Sequence, residues 1–153
     1  MKNMLVAISI AYALAAIPIN VMAEEVMAVT ADEITWLSNG ALAKDGIKQA
    51  NLIGAPDKPG PYTVRLSFPA GYKLLPHTHP DSRHITVLKG TWMTGYGKTF
   101  DAKLLKVLPA GSFYTEPADL PHFVVVTEDV IIQVSGTGPS GRKYLPENSV
   151  HTH

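Results

Sequence analysis

From Ile34 onward the chain is a succession of short apolar runs separated by turn residues. Tyr62-Thr63-Val64-Arg65-Leu66-Ser67-Phe68 alternates apolar and polar positions, the period of a strand with one buried face. His84 to Leu88, Leu104 to Leu108, Phe123 to Val126 and Val130 to Val134 are further runs, rich in β-branched and aromatic residues. Turn signals punctuate them: Asn39-Gly40, Lys44-Asp45-Gly46, Pro59-Gly60, Pro69-Ala70-Gly71, Lys89-Gly90, Pro109-Ala110-Gly111 and Glu128-Asp129. No long stretch carries helical periodicity. Short, regularly interrupted strands predict an all-β sandwich or barrel. Residues 24–50 read as a lead-in and 51–136 as the barrel. Residues 137–153, rich in Gly, Pro, Ser and charge, read as a tail that packs only in part.

The opening residues change that picture in one respect. Lys2, the apolar run Leu5 to Ile17 and the small or apolar Val21-Met22-Ala23 have the layout of a secretory signal peptide, residues 1–23, cleaved before Glu24. The apolar run is short for a membrane span, which needs roughly 20 residues. The expected location is periplasmic or secreted, with no membrane attachment after cleavage. Removing Lys2 leaves 12 basic against 13 acidic side chains (13 − 1 = 12), so the mature chain lacks the basic excess that nucleic acid requires. Cysteine is absent, which excludes disulfides and thiolate zinc sites.

The candidate chemistry lies in Gly71 to Gly90. His77 and His79 are one residue apart, so on a strand both imidazoles point the same way and can converge on one metal ion. Such a pair is a weak signal alone, and His151-Thr152-His153 repeats it in the tail. Context separates them. Gly71, His77, His79 and Gly90, followed by Gly111, Pro117 and His122, resemble the two sequence motifs of the cupin family. That resemblance implies a single-domain jelly-roll β-barrel, a metal held by His77, His79 and His122, a homodimer, and a small-molecule ligand or substrate.

Three positions depart from the family pattern. Asp119 replaces a turn glycine, and Asp tolerates the left-handed conformation. Val126 stands where Asn is usual. Arg83 stands where a carboxylate ligand is expected. A different spacing would put that position at His84, but Arg83 shares its strand face with Ile85 and Val87, the more apolar set. An Arg cannot bind a metal and adds positive charge beside it. Compensation should come from Glu116, pairing with Arg83 or serving as a fourth ligand, unless Glu116 is a solvated turn residue. The alternative is an anionic substrate held by Arg83. Arg83 and Glu116 are therefore the catalytic candidates; His84, Gln133 and Tyr114 are secondary candidates for the cavity wall. Three imidazoles leave coordination positions open, which suits catalysis. Iron is the favoured metal, with zinc, nickel, manganese or copper as alternatives. The expected function is a metal-dependent, oxygenase-type enzyme acting on a small anionic organic molecule. A metal-dependent lyase or isomerase, and a non-catalytic binding module, are the rival readings.

Overall fold

The computed structural model describes residues 26–38 and 40–146; the expected signal peptide and His151-Thr152-His153 lie outside them. A 3-10 turn at Ala31–Glu33 and a five-residue helix α1, Gly40–Lys44, precede ten strands. These are β1 Lys48–Ile53, β2 Gly60–Phe68, β3 Lys73–Thr78, β4 Arg83–Lys89, β5 Thr91–Tyr96, β6 Lys106–Pro109, β7 Phe113–Glu116, β8 His122–Val126, β9 Val130–Gly138 and β10 Lys143–Tyr144. One antiparallel sheet has the order β1-β2-β9-β4-β7 and the other β10-β3-β8-β5-β6. The all-β jelly-roll expectation is met, and the two sheets share one core.

Alternation decides what the core contains. On β2, Tyr62, Val64 and Phe68 are buried, as the sequence pattern requires; on β9, Val130, Ile132 and Val134 face them from the neighbouring strand. Trp92 packs edge-on against Phe68, with ring centroids 4.9 Å apart, and sits beside Leu74, Val124 and Val126 in one apolar cluster. Val126, where the family pattern has Asn, is fully buried in that cluster. Gly90 takes φ 72 between β4 and β5, and a Cβ there would lie 2.6 Å from the Asp129 carbonyl, so both conformation and space require glycine. Asp119 adopts φ 58, the left-handed conformation expected of it.

Two segments differ from the sequence pattern. The run Leu104 to Leu108 is split: Ala102–Leu104 forms a 3-10 turn, its first turn capped by the Asp101 carboxylate, and β6 begins only at Lys106. In the segment expected to pack in part, β9 continues to Gly138 and β10 pairs Lys143 with Thr78 and Tyr144 with His77. Residues 139–142 thus form a strap that leaves one sheet and joins the other at the barrel mouth.

Candidate metal and ligand site

Each sheet supplies half of the site. His77 and His122 are register partners on β3 and β8, while Arg83 and Glu116 are register partners on β4 and β7. His79 follows the end of β3. Leu74 and His77 are both buried although three residues apart, because the β3–β8 register shifts between them. The tripeptide Leu-Pro-His occurs at both ends of this pair, as Leu75-Pro76-His77 and Leu120-Pro121-His122. In each copy the histidine Nδ1 faces the leucine carbonyl, at 2.8 Å for His77 and 3.0 Å for His122. His79 Nδ1 faces the carbonyl of Gly141 on the strap. A carbonyl only accepts, so each Nδ1 carries the proton and each Nε2 lone pair turns into the barrel.

The three imidazoles are buried, and their ligand nitrogens all lie within 4.8 Å of one another. His77 Nε2 and His122 Nε2 are buried without a hydrogen-bond partner. Burial, and then the neighbouring His122, push His77 down to about 3; burial, and then Arg83, push His79 down to about 2. Both rings are therefore neutral at physiological pH, the form able to bind a metal. Glu116 Oε1 stands 3.3 Å from His122 Nε2 and accepts a hydrogen bond from Tyr114 at 2.9 Å. Its other oxygen is 3.9 Å from His79 Nε2 and 4.0 Å from Arg83 Nη1. Two orphaned imidazole lone pairs, converging with that of His79 beside a buried carboxylate, fit a divalent transition metal, with Glu116 within reach as a further oxygen donor.

Arg83 faces inward. Its Nη1 donates to His79 Nε2 at 3.0 Å and its Nη2 to Ser140 Oγ at 2.6 Å, while Nε lies 3.6 Å from Asp81 Oδ1. Asp81 accepts from Tyr62 Oη at 2.6 Å and from Ser140 Oγ at 2.5 Å. Burial and the Asp81 hydrogen bond raise the Tyr62 phenol to about 12, so it remains a donor. Behind Glu116, Trp92 Nε1 donates to Tyr114 Oη at 2.7 Å, and burial holds the Tyr114 phenol well above its ordinary value.

The structure brings His77, His79, His122, Arg83, Glu116 and Tyr114 together. It does not bring in His84 or Gln133. Alternation turns His84 outward, where it stacks on exposed Phe113, and Gln133 outward, where it accepts from Arg65 Nε at 3.2 Å. Sequence reasoning missed Asp81, Ser140, Gly141 and Arg142. Asp81 lies in the turn between β3 and β4, where strand parity does not reach, and no motif position marked it. The strap residues had no signal either, being about 60 positions downstream in a stretch whose composition reads as loose.

Comparison with known proteins agrees with this architecture. The model of the ChrR cupin-like domain matches residues 24–140. No curated protein matches the sequence. Among solved structures, an RmlC-like cupin from Shewanella frigidimarina is 19% identical and has a TM-score of 0.56, over 71% of this chain and 87% of its own. The polyketide cyclase RemF from Streptomyces resistomycificus is 16% identical with a TM-score of 0.60, over 80% and 89%. A sugar phosphate isomerase from Silicibacter pomeroyi is 17% identical with a TM-score of 0.59, over 77% and 81%. At these identities the likeness shows the fold alone.

Proposed function

This chain belongs to the ChrR cupin-like domain family, and from that premise we propose that it is a metal-dependent enzyme acting on a small organic anion. The observation that carries the reading is the set of three backbone-anchored imidazoles, with two of their Nε2 lone pairs buried and unpartnered. A divalent metal held there by His77, His79 and His122 would supply electrophilic activation of bound oxygen atoms and, if iron, access to O₂ chemistry. The chain's own residues do the rest. Arg83 presents a guanidinium beside the triad and orients an acidic substrate. Glu116 provides a carboxylate, kept in place by Tyr114, that accepts a proton or completes the ligand set. Leu66, Phe68, Ile85, Trp92, Ile132 and Val134 wall the cavity and exclude water from the reacting atoms.

The preferred chemistry is oxygenase-type on iron. Lyase or isomerase chemistry is the second reading, favoured by Glu116, a buried carboxylate placed to move a proton. Protein purified anaerobically separates them: iron in the preparation and O₂ uptake on adding short organic acids supports the oxygenase. Zinc without O₂ uptake, with turnover of a hydroxy or oxo acid, supports the lyase or isomerase. Failure to turn over any acid with metal bound leaves the binding-module reading. We further propose export after cleavage following Ala23, and a homodimer. N-terminal sequencing of the periplasmic fraction and light scattering test these, and an unprocessed chain in the cytoplasm or a monomer would refute them.

A further inference from the structure

Two cavities meet at the barrel mouth. The inner one, about 50 Å³, contains His77, Glu116 and Trp92; the outer one, about 110 Å³, is lined by Leu42, Gln49, Pro56 and Tyr62. They share Leu66, His79, Arg83, Val134 and Arg142, which form the neck between them. Arg142 comes from the strap. Its Cζ lies 5.1 Å from the Tyr144 ring centroid, and that ring lies 6.0 Å from the ring of His77. Its nearest carboxylate, Asp45, is 4.0 Å away, partly exposed, and already accepts from Tyr72 Oη at 3.2 Å. A pair that long and that wet offsets little of the charge.

The acidic groups inside lie beside Arg83, Asp81 at 3.6 Å and Glu116 at 4.0 Å, and take their hydrogen bonds from Tyr62, Ser140 and Tyr114, so neither serves Arg142. Arg83 Nε is buried with no hydrogen-bond partner. Arg83 with one unpartnered N–H, and Arg142, which reaches Tyr72 and only a distant Asp45, are largely buried cations lining the same neck, walled by Leu66 and Val134. Glu116 on the inner cavity wall, and Asp81 3.6 Å from Arg83 Nε, disfavour a phosphate dianion, so a monoanion fits better.

We infer that Arg142 is a specificity-determining residue that, with Arg83, grips the carboxylate of a short monocarboxylic acid at this neck. The remainder of the acid then extends toward His77, His79 and His122. This rests on the small-anion reading above and adds the residue that sets it, the ligand class and the position. Planar forks on both sides match a carboxylate, which lysines would not do as well.

The test is an NMR titration of the ¹⁵N-labelled full chain with pyruvate, using methyl pyruvate as the uncharged control. The Arg142 Nε–H signal, assigned by its loss in Arg142→Lys, should move with pyruvate and stay still with the ester. Arg142→Gln should weaken pyruvate binding about tenfold or more, the scale of a charge-assisted hydrogen bond. An unmoved Arg142 signal, equal binding of the ester, or unchanged affinity in a folded Arg142→Gln overturns the inference. Should Arg142→Gln fail to fold, the wild-type signal decides. A parallel chelator-treated sample separates this claim from the metal reading. Binding that survives metal removal supports the neck whatever the metal does, and binding that vanishes with the metal overturns the neck as the anchor.

Discussion

Glu116 and Tyr114 show how single residues set the site's chemistry. Tyr114 Oη accepts from Trp92 and donates to Glu116, all three buried. Tyr114→Phe leaves a buried indole N–H without an acceptor and a buried carboxylate without a donor. The expected cost is about 1–3 kcal/mol in urea denaturation. A variant as stable as wild type would mean that the chain of hydrogen bonds is not formed. Arg83→Gln keeps polarity but removes charge and fork, and should weaken binding of short acids by about tenfold. Calorimetry checks this, and unchanged affinity would sink the role of Arg83 in substrate binding. Arg83, Glu116 and the three histidines were legible in the sequence because the motif spacing addresses inward-facing positions, while Tyr114 was only a secondary candidate for the cavity wall. The assignment of Arg83 over His84 rested on the spacing to Gly90 and on the more apolar strand face that Arg83 shares, and the structure places the two on opposite faces accordingly.

At the scale of elements, β9 and the strap after it carry the support for Arg83. Gly136 on β9 lies where a Cβ would come within 2.6 Å of both Asp81 Oδ2 and Tyr62 Oη. Gly136→Ala must therefore displace one of them, loosening the carboxylate beside Arg83. Expected is a loss of about 1–3 kcal/mol, accompanied by weaker acid binding, measured by denaturation and calorimetry on the same sample. Full acid affinity in a destabilised variant would separate the Asp81 network from the ligand site. β2, β4 and β9 were readable because they alternate, and β8 because it is a continuous apolar, β-branched run. β3 was not, because Pro76 and the register shift break its alternation, and β1, Lys48–Ile53, mixes polar and apolar residues without period. The run Leu104 to Leu108 was misread as one strand because its apolar residues begin inside a 3-10 turn. The strap was illegible for a different reason: its role depends on one carbonyl, one hydroxyl and one guanidinium, not on a pattern of burial.

For the whole molecule, buried neutral imidazoles couple folding to pH. The folded values of His77 and His79, about 3 and about 2, lie below the ordinary 6.5. Between pH 6.5 and about 3 the unfolded chain binds protons that the folded one excludes, so their contribution is fully present above 6.5 and is lost as pH falls. At pH 5 each histidine costs the metal-free protein about 2 kcal/mol relative to pH 7.5. The urea midpoint should drop accordingly, and a flat profile over this range would contradict the burial of neutral rings. Metal binding should raise the midpoint at pH 7.5 and lose that effect on acidification, as protons compete for the same lone pairs.

The central claim is that His77, His79 and His122 hold one transition metal. Elemental analysis of protein purified from its native source without added metal tests it most directly, alongside His77→Ala and His122→Ala. The account predicts about one transition-metal ion per wild-type chain, and its loss in both variants while the barrel's far-UV dichroism persists. A folded wild-type protein without metal, or variants that retain it, would contradict the account.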